Sequence, residues 1–228
     1  MSEFLIGDDS MNSDRKSLSC SECSVYNCYR RDKNFPDFCL TTKTANKEIE
    51  KVNELYRNDE LVSKISHAAA EIEGTYYGKL TRVEEIVAFA KKINAKKIGI
   101  ATCIGLINET KIFAKVLKAK GLESYSVICK VGSTDKTEVG VKEELKVQQG
   151  CHESLCNPIL QAKLLNKEKT DLNVIVGLCV GHDSLFIKYS KALVTTLITK
   201  DRVLGHNPAA ALYTSGFYYK KLFQEGDI

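Results

Sequence analysis

The residues of this chain best suited to chemistry are its nine cysteines, eight of which fall into two groups of four. Four are closely spaced near the N-terminus in the pattern C-x2-C-x4-C-x10-C, namely Cys20, Cys23, Cys28 and Cys39. Two cysteines separated by two residues can turn their sulfurs toward one ion, because the backbone between them forms a tight loop. Four thiolates complete the shell of a zinc ion or hold an iron–sulfur cluster. We therefore predict a metal centre in this segment, either zinc or iron–sulfur.

The second group of cysteines follows short β-branched runs further along the chain. Cys103 comes after KKIGIAT and Cys179 after VIVGL, while the segment GCHESLCNP carries Cys151 and Cys156. Ligands of a parallel sheet bind beyond the carboxyl ends of its strands, where the loops diverge. We therefore predict a second, cysteine-lined cofactor site at that edge, formed by Cys103, Cys151, Cys156, Cys179 and His182.

Two interpretations of this second group stay open. Cys156 stands just before Asn157-Pro158, which is typical of a helix start, and a helix N-terminus lowers the pKa of a nearby thiol. A thiolate there suits metal ligation and nucleophilic attack equally. As a nucleophile, Cys156 or Cys179 would be helped by His182. Cys129 lies inside the run SYSVICKV and is most simply explained as a core residue.

Basic residues follow the last β-branched run of the chain. Lys200 and Arg202 would offer positive charge to an anionic substrate or partner, and His206 lies close behind them. The common fingerprints of nucleotide hydrolysis, dinucleotide binding, esterase chemistry and zincin proteolysis are absent from the sequence. The sequence therefore gives those four activities no support.

The cysteines of the second group are positioned by an alternation of strands and helices. Apolar residues at three- and four-residue spacing predict helices over 45–57 and 59–73, and Thr81 with Glu84 forms the capping box of a third. Gly121 is expected at a helix C-terminal cap, and Asn157-Pro158 and Asn207-Pro208 each indicate a helix start. From Ala95 onward, short β-branched runs alternate with amphipathic segments. This pattern predicts an α/β fold, with a Rossmann-like three-layer core and a mainly parallel sheet, preceded by helices and the cysteine-rich lobe.

Composition and local patterns indicate the domain boundaries of the chain, its cellular location and whether it binds nucleic acid. We predict a flexible tail at 1–18, a metal-binding lobe at 19–44 and an α/β domain with N-terminal helices at 45–228. The sequence shows no secretory signal and no apolar run long enough to span a membrane, which favours a cytoplasmic protein with reduced thiols. A formal net charge of +4, with lysines interleaved with glutamates, argues against a nucleic-acid surface.

Several of these segments together resemble a known family. The early cysteine spacing, ATCIGL from Ala101, GCHESLCNP, GLCVGHDSLF from Gly177 and KDRVLGHNPAAALY from Lys200 are similar to the prokaryotic metal-binding protein family catalogued as domain of unknown function 1847. The similarity runs from about Cys20 to Tyr213. It implies that the cysteines are ligands and that the protein is cytoplasmic, and it implies no particular reaction.

The leading hypothesis is a cytoplasmic metal-binding protein, iron–sulfur or zinc, with a second cysteine-lined site that could take part in redox chemistry. The first alternative is a thiol-dependent enzyme with a cysteine nucleophile and a structural metal. The second is a non-enzymatic, zinc-stabilised interaction module. The expected partner is a small molecule or a redox protein, and the sequence does not fix which one or the oligomeric state.

Overall fold

The described chain divides into two units, one ending at Lys64 and one beginning at Ile65. A computed structural model describes residues 18–226, so the tail predicted at 1–18 lies outside the described residues except for Leu18. The α-helices are α1 Asn27–Arg30, α2 Leu40–Lys43, α3 Asn46–Asn58, α4 Glu60–Tyr76, α5 Arg82–Lys92, α6 Ile107–Ala119, α7 Pro158–Lys167, α8 His182–Tyr189 and α9 Ala209–Tyr213. The strands are β1 Lys97–Thr102, β2 Glu123–Ile128, β3 Leu172–Val176 and β4 Leu193–Ile198.

The first unit holds short helical turns and the helix α3, which confirms the helix predicted over 45–57. A 3-10 turn at Cys20–Glu22 begins with a capping box, in which Ser19 and Glu22 satisfy each other's backbone N–H groups. Asn27 is 2% exposed and its Oδ1 accepts a hydrogen bond from the Lys33 N–H at 2.8 Å. The domain boundary predicted between 44 and 45 stays a prediction.

The second unit is built on a four-stranded, all-parallel sheet in the order β2-β1-β3-β4. In this register Thr102, the last residue of β1, is the partner of both Ile128 and Val176, the last residues of the strands on either side. The chain leaves β1 toward β2 on one side and later returns to β3 on the other. This reversal creates a crevice at the carboxyl edge, and it confirms the Rossmann-like prediction.

Helices cover both faces of the sheet, which confirms the three-layer prediction. On one face Ile98, Ile100 and Val174 pack with residues of α5 and α6, such as Ala90 and Phe113. On the other face Ala101, Val127 and Ile175 pack with residues of α7 and α8, including Leu165 and Phe186. The sequence pattern placed the start of the α/β core at Ala95, but α5, which covers the first face, comes before that residue.

Local signals in the sequence set several helix ends as predicted. Thr81 and Glu84 form both halves of the capping box of α5, and Gly121 adopts a left-handed φ of +78° just after α6. The Asn157 side chain caps α7 by accepting a hydrogen bond from the Leu160 N–H at 3.0 Å. At α9 the expectation differs from the structure, because Pro208 itself occupies the capping position. No helix within residues 18–226 is long and apolar enough to cross a membrane.

Candidate functional site

A cleft of about 780 Å³ lies at the carboxyl edge of the sheet in the second unit. Its walls come from the loops after β1, β2, β3 and β4 and from the long segment that leads into α7. They carry three cysteines, two histidines, four basic side chains and one carboxylate: Cys103, Cys156, Cys179, His152, His182, Lys130, Lys136, Lys200, Arg202 and Glu153. Lys136 and Glu153 form an ion pair, so the rest of the charged lining is positive.

Backbone hydrogen bonds bring three cysteines together beside this cleft. Cys103 and Cys129 are each the first residue after a strand, and the Cys129 N–H donates to the Thr102 carbonyl at 2.8 Å. The Asn157 N–H then donates to the Cys129 carbonyl at 2.7 Å, which places Cys156 next to Cys129. As a result Cys156 packs against the buried cluster that holds Cys103 and Cys129. The Cys129 thiol interacts with the thiols of both neighbours, and its Sγ accepts a hydrogen bond from the Ile104 N–H at 3.4 Å.

The three thiols differ in their proton affinity. The pKa of Cys156 is lowered to about 5, and the hydrogen bond with Cys129 is the largest cause. Desolvation opposes this shift, whereas Lys130 and His182 add to it. The hydrogen bond with Cys129 also lowers the pKa of Cys103, again to about 5, together with the Gly105 N–H and Lys200. The same two sulfur contacts, with burial, raise the pKa of Cys129. Cys129 therefore keeps its proton while Cys103 and Cys156 are thiolates.

The cations of the cleft are placed against sulfur and backbone oxygen. Lys200 Nζ donates to Cys103 Sγ at 3.3 Å, and Arg202 Nη2 donates to Cys179 Sγ at 2.9 Å. That contact with Cys179 raises the pKa of Arg202. Lys130 Nζ donates to the Ser154 carbonyl at 2.5 Å, on the segment that carries Cys156. The cleft therefore presents sulfur nucleophiles inside a field of positive charge.

An aspartate organises the segment between β2 and α7. Asp135 accepts hydrogen bonds from the Thr137 N–H at 2.9 Å and the Glu153 N–H at 2.8 Å, and it pairs with the buried Lys146 at 2.9 Å. The Thr137 hydroxyl and N–H, followed by Lys146 and the Glu153 N–H, hold the pKa of Asp135 well below its usual range. Asp135 and Ser154 also form an isolated antiparallel bridge. These contacts fix the approach of the chain to Cys156.

Two further residues hold the strand ends in place. Gln161 on α7 is fully buried, and its Nε2 donates to the Thr102 carbonyl at 3.1 Å and to the Val127 carbonyl at 2.7 Å. This amide ties the carboxyl ends of β1 and β2 together, directly below Cys103 and Cys129. On the other side of β1, Gly177 allows close approach, because a Cβ there would lie 2.1 Å from Cδ1 of Leu106.

The structure brings together four of the five residues predicted for this site. Cys103, Cys156, Cys179 and His182 all line the cleft, whereas Cys151 is exposed and is not among its lining residues. The Cys151 Sγ lies 3.6 Å from the Gln149 carbonyl oxygen. Lys200 and Arg202 line the cleft as expected, and His206 accepts a hydrogen bond from the Asp201 N–H outside it.

The sequence interpretation missed Cys129 and Lys130, and it also missed Lys136, His152 and Glu153 of the lining. Cys129 is 2% exposed, as expected of a core residue, but β2 ends at Ile128, so Cys129 lies beyond the strand and not inside it. The signal was present in the sequence: Cys103 and Cys129 each follow a β-branched run, and parallel strands in register place such positions side by side. The same reasoning places Lys130, the next residue, at the carboxyl edge of the sheet.

The four N-terminal cysteines line one small cavity, of about 70 Å³, within the first unit. They share it with residues that include Asn27 and Phe38. Desolvation opposes ionisation of Cys39, but hydrogen bonds from Thr41 and Thr42 outweigh it and lower its pKa. The four sulfur donors fit a thiophilic metal in type. As placed, no three histidine, cysteine, aspartate or glutamate side chains within residues 18–226 are arranged to hold an ion.

The fold and the cleft define an α/β protein with a parallel sheet and a cationic, thiol-lined cleft at its carboxyl edge. The chain belongs to the family described as protein of unknown function DUF1847, whose model matches residues 39–197. It is 50% identical over 208 residues to the uncharacterized protein MJ0455 of Methanocaldococcus jannaschii, which covers 91% of this chain and 99% of that protein. No solved structure matches the chain. The range of the family model includes the cleft cysteines and Cys39 but not the three cysteines before it.

Proposed function

We propose that this protein is a thiol-dependent enzyme that acts on a small anionic molecule, with Cys156 as its nucleophile. The observation that carries the proposal is the position of Cys156, half-buried on the wall of a cationic cleft and in contact with the Cys129 thiol. A cleft of about 780 Å³ has room for a small molecule, since ligand pockets span roughly 300–1,000 Å³.

Cys156 suits this role better than the other two cysteines of the lining. Cys103 is only 7% exposed and its sulfur is held by Lys200, so an electrophile has little access to it. The sulfur of Cys179 is engaged by Arg202 at 2.9 Å. Cys156 has a thiol donor behind it and open cleft in front, and His182 and Lys130 stand close enough to stabilise its thiolate. Thiolate, and not thiol, is the reactive form of cysteine.

The reactivity of Cys156 with charged and neutral alkylating agents tests this proposal. The ratio of the iodoacetate rate to the iodoacetamide rate is expected to be about tenfold higher at Cys156 than at the exposed Cys151, because the cations concentrate the anionic reagent. Both rates should persist down to about pH 5, where the pKa of Cys156 lies and the thiolate begins to be lost. Site-resolved mass spectrometry of digested samples measures both cysteines in one reaction.

A pair of lysine variants provides the control for charge. Lys130→Gln removes a cation of the cleft wall and should lower the rate ratio at Cys156, whereas Lys142→Gln removes an exposed lysine outside it and should not. High salt should lower the ratio in the wild type as well, because it screens the cations. Equal ratios at Cys156 and Cys151, or a Cys156 that neither reagent modifies, would show that the cleft does not activate this thiol.

A metal centre in the N-terminal lobe is the second part of the proposed function. What supports it is the spacing of Cys20, Cys23, Cys28 and Cys39, which all line one small cavity in a segment with few buried apolar residues. Four cysteine thiolates would hold either zinc or an iron–sulfur cluster. Either metal would cross-link the lobe, and the cluster would in addition carry an electron. The lobe would then depend on its metal for folding, as small metal domains do.

The metal content of cysteine variants tests this second part. Protein purified without oxygen is expected to contain zinc, or iron with acid-labile sulfide, and Cys23→Ser with Cys28→Ser should remove most of that metal. Cys151→Ser, which replaces an exposed cysteine of the second unit, should leave it unchanged. If the metal content survives the loss of Cys23 and Cys28, the centre does not lie in the lobe.

A further inference from the structure

Access to the three clustered sulfurs follows an order set by burial. Cys156 is half-buried and lines the cleft, while Cys129 is 2% exposed and is not among the lining residues. A molecule that enters the cleft therefore meets Cys156 before it can reach Cys129. An accessible thiolate with a second thiol in contact behind it is the arrangement needed for thiol–disulfide exchange in two steps.

We propose that Cys129 is a resolving cysteine and that the cleft reduces small disulfides that carry negative charge. The inference rests on the proposed function, in which Cys156 is the nucleophile, and it names the substrate class for that site. Three observations support it: the packing of Cys156 against the buried cluster that holds Cys129, the burial of Cys129 behind it, and the cations of the lining.

In the first step, the Cys156 thiolate attacks one sulfur of a disulfide R–S–S–R. A bond forms between Cys156 Sγ and that sulfur, the S–S bond of the substrate breaks, and one R–S⁻ leaves. In the second step, Cys129 gives up its proton and attacks Cys156 Sγ, which expels the second R–S⁻. The products are a Cys129–Cys156 disulfide and two reduced substrate thiolates. The two protein sulfurs are oxidised by two electrons, and the substrate takes up those electrons.

Cys103 is placed to receive the proton released in the second step. It packs with Cys129 in the same buried cluster, and Lys200 donates to its sulfur at 3.3 Å, which stabilises it as a thiolate. Once Cys156 is part of a mixed disulfide, it no longer accepts the Cys129 hydrogen bond, so the Cys129 proton has Cys103 as its remaining sulfur acceptor. Cys103 then becomes a neutral thiol. An external dithiol would return the Cys129–Cys156 disulfide to thiols by the reverse exchange.

The charge of the cleft selects for an anionic substrate. Lys130, Lys200 and Arg202 line it, and the carboxylate of Glu153 is already paired with Lys136. These cations attract a disulfide that carries carboxylate or other acidic groups, and they stabilise the thiolate that leaves in each step. A neutral disulfide gains only the stabilisation of the leaving thiolate. The rate advantage of an anionic disulfide should therefore fall as the salt concentration rises.

The test uses the full-length protein and 5,5′-dithiobis(2-nitrobenzoate), a disulfide with two carboxylates. After a short reaction and an acid quench, peptide mapping of the wild type is expected to show a Cys129–Cys156 cross-link. The Cys129→Ser variant should instead accumulate a nitrothiobenzoate adduct on Cys156, because serine cannot resolve it. The ratio of the rate at Cys156 to the rate at Cys151 should be about tenfold higher with this reagent than with the neutral 2,2′-dithiodipyridine.

The possible outcomes separate this inference from the proposed function. If Cys156 acquires neither an adduct nor a cross-link, the nucleophile itself is wrong and both proposals fail. A stable adduct on Cys156 of the wild type, without a bond to Cys129, overturns the resolving role and leaves the nucleophile standing. A cross-link from Cys156 to Cys179 would assign resolution to Cys179 instead.

The charge of the substrate is tested separately. If the ratio of the rate at Cys156 to the rate at Cys151 is the same for both disulfides, the anionic substrate class is wrong. The mapping of the wild type needs no variant, so it does not depend on the folding of Cys129→Ser.

Discussion

Cys129→Ala is expected to raise the pKa of Cys156 from about 5 toward the ordinary value of a cysteine thiol, about 8.5. The hydrogen bond with the Cys129 thiol is the largest cause of the lowered pKa, and alanine has no donor to replace it. Lys130 and His182 remain and limit the rise. The same substitution should raise the pKa of Cys103, because Cys129 is also the largest cause that lowers it.

The pH chosen for the measurement decides whether this effect is visible. At pH 6 a thiol of pKa 8.5 is ionised about 300-fold less than one of pKa 5. The higher pKa also makes the remaining thiolate about 30-fold more nucleophilic toward disulfides, if the Brønsted coefficient is about 0.4–0.5. A full rise to 8.5 would therefore lower the rate at Cys156 about tenfold at pH 6 and change it little near pH 7, and a smaller rise would lower it less. Rates with 2,2′-dithiodipyridine from pH 4 to pH 9, resolved by residue, measure the midpoint directly.

Cys129→Ser is the matched control for this experiment. A serine hydroxyl can donate the same hydrogen bond to a thiolate, so the midpoint at Cys156 should stay near its wild-type value. The two variants also differ little in volume, and both remove the resolving sulfur. If both raise the midpoint equally, the hydrogen bond is not the cause. If neither raises it, Lys130 and His182 are sufficient to stabilise the thiolate.

The architecture could be predicted from the sequence because its signals are local. Thr81 with Glu84, Gly121 and Asn157-Pro158 each act within one turn of helix, and each does in the structure what its spacing indicates. The alternation of strands with helices then leaves few arrangements other than a parallel sheet. Asn207-Pro208 was less informative, since Pro208 takes the capping position itself.

The cleft was predictable only in part, because its contacts join distant parts of the chain. Cys103 and Cys179 follow strands closely enough to be placed at the edge, but the end of β2 had to be known to one residue to place Cys129. Cys151 was grouped with Cys156 because both lie in GCHESLCNP. The structure separates them: Cys156 approaches Cys129 through the Asn157 hydrogen bond, while Cys151 stays exposed five residues earlier.

Gly177→Ala is expected to destabilise the second unit by about 2–4 kcal/mol, from backbone strain and overpacking together. Gly177 has a φ of +69°, which an alanine adopts only with strain, and its Cβ would lie 2.1 Å from Cδ1 of Leu106. Leu106 is 3% exposed and packs in the core beneath the sheet, so it has little room to move. Unfolding by urea measures the loss as a change in the free energy of unfolding.

Gly140→Ala separates the two causes of this loss. Gly140 has a φ of +85° and a ψ of 9°, and apart from its chain neighbours no atom of the described residues lies within 4 Å of the place that an alanine Cβ would take. Only backbone strain, about 1–2 kcal/mol, is therefore expected there. Leu106→Ala removes the clashing atom, and adding Gly177→Ala to it should then cost no more than Gly140→Ala does. The coupling between Gly177 and Leu106 should be about 1–3 kcal/mol in this double-mutant cycle. A coupling near zero would mean that Leu106 yields freely, and that the backbone alone requires glycine after β3.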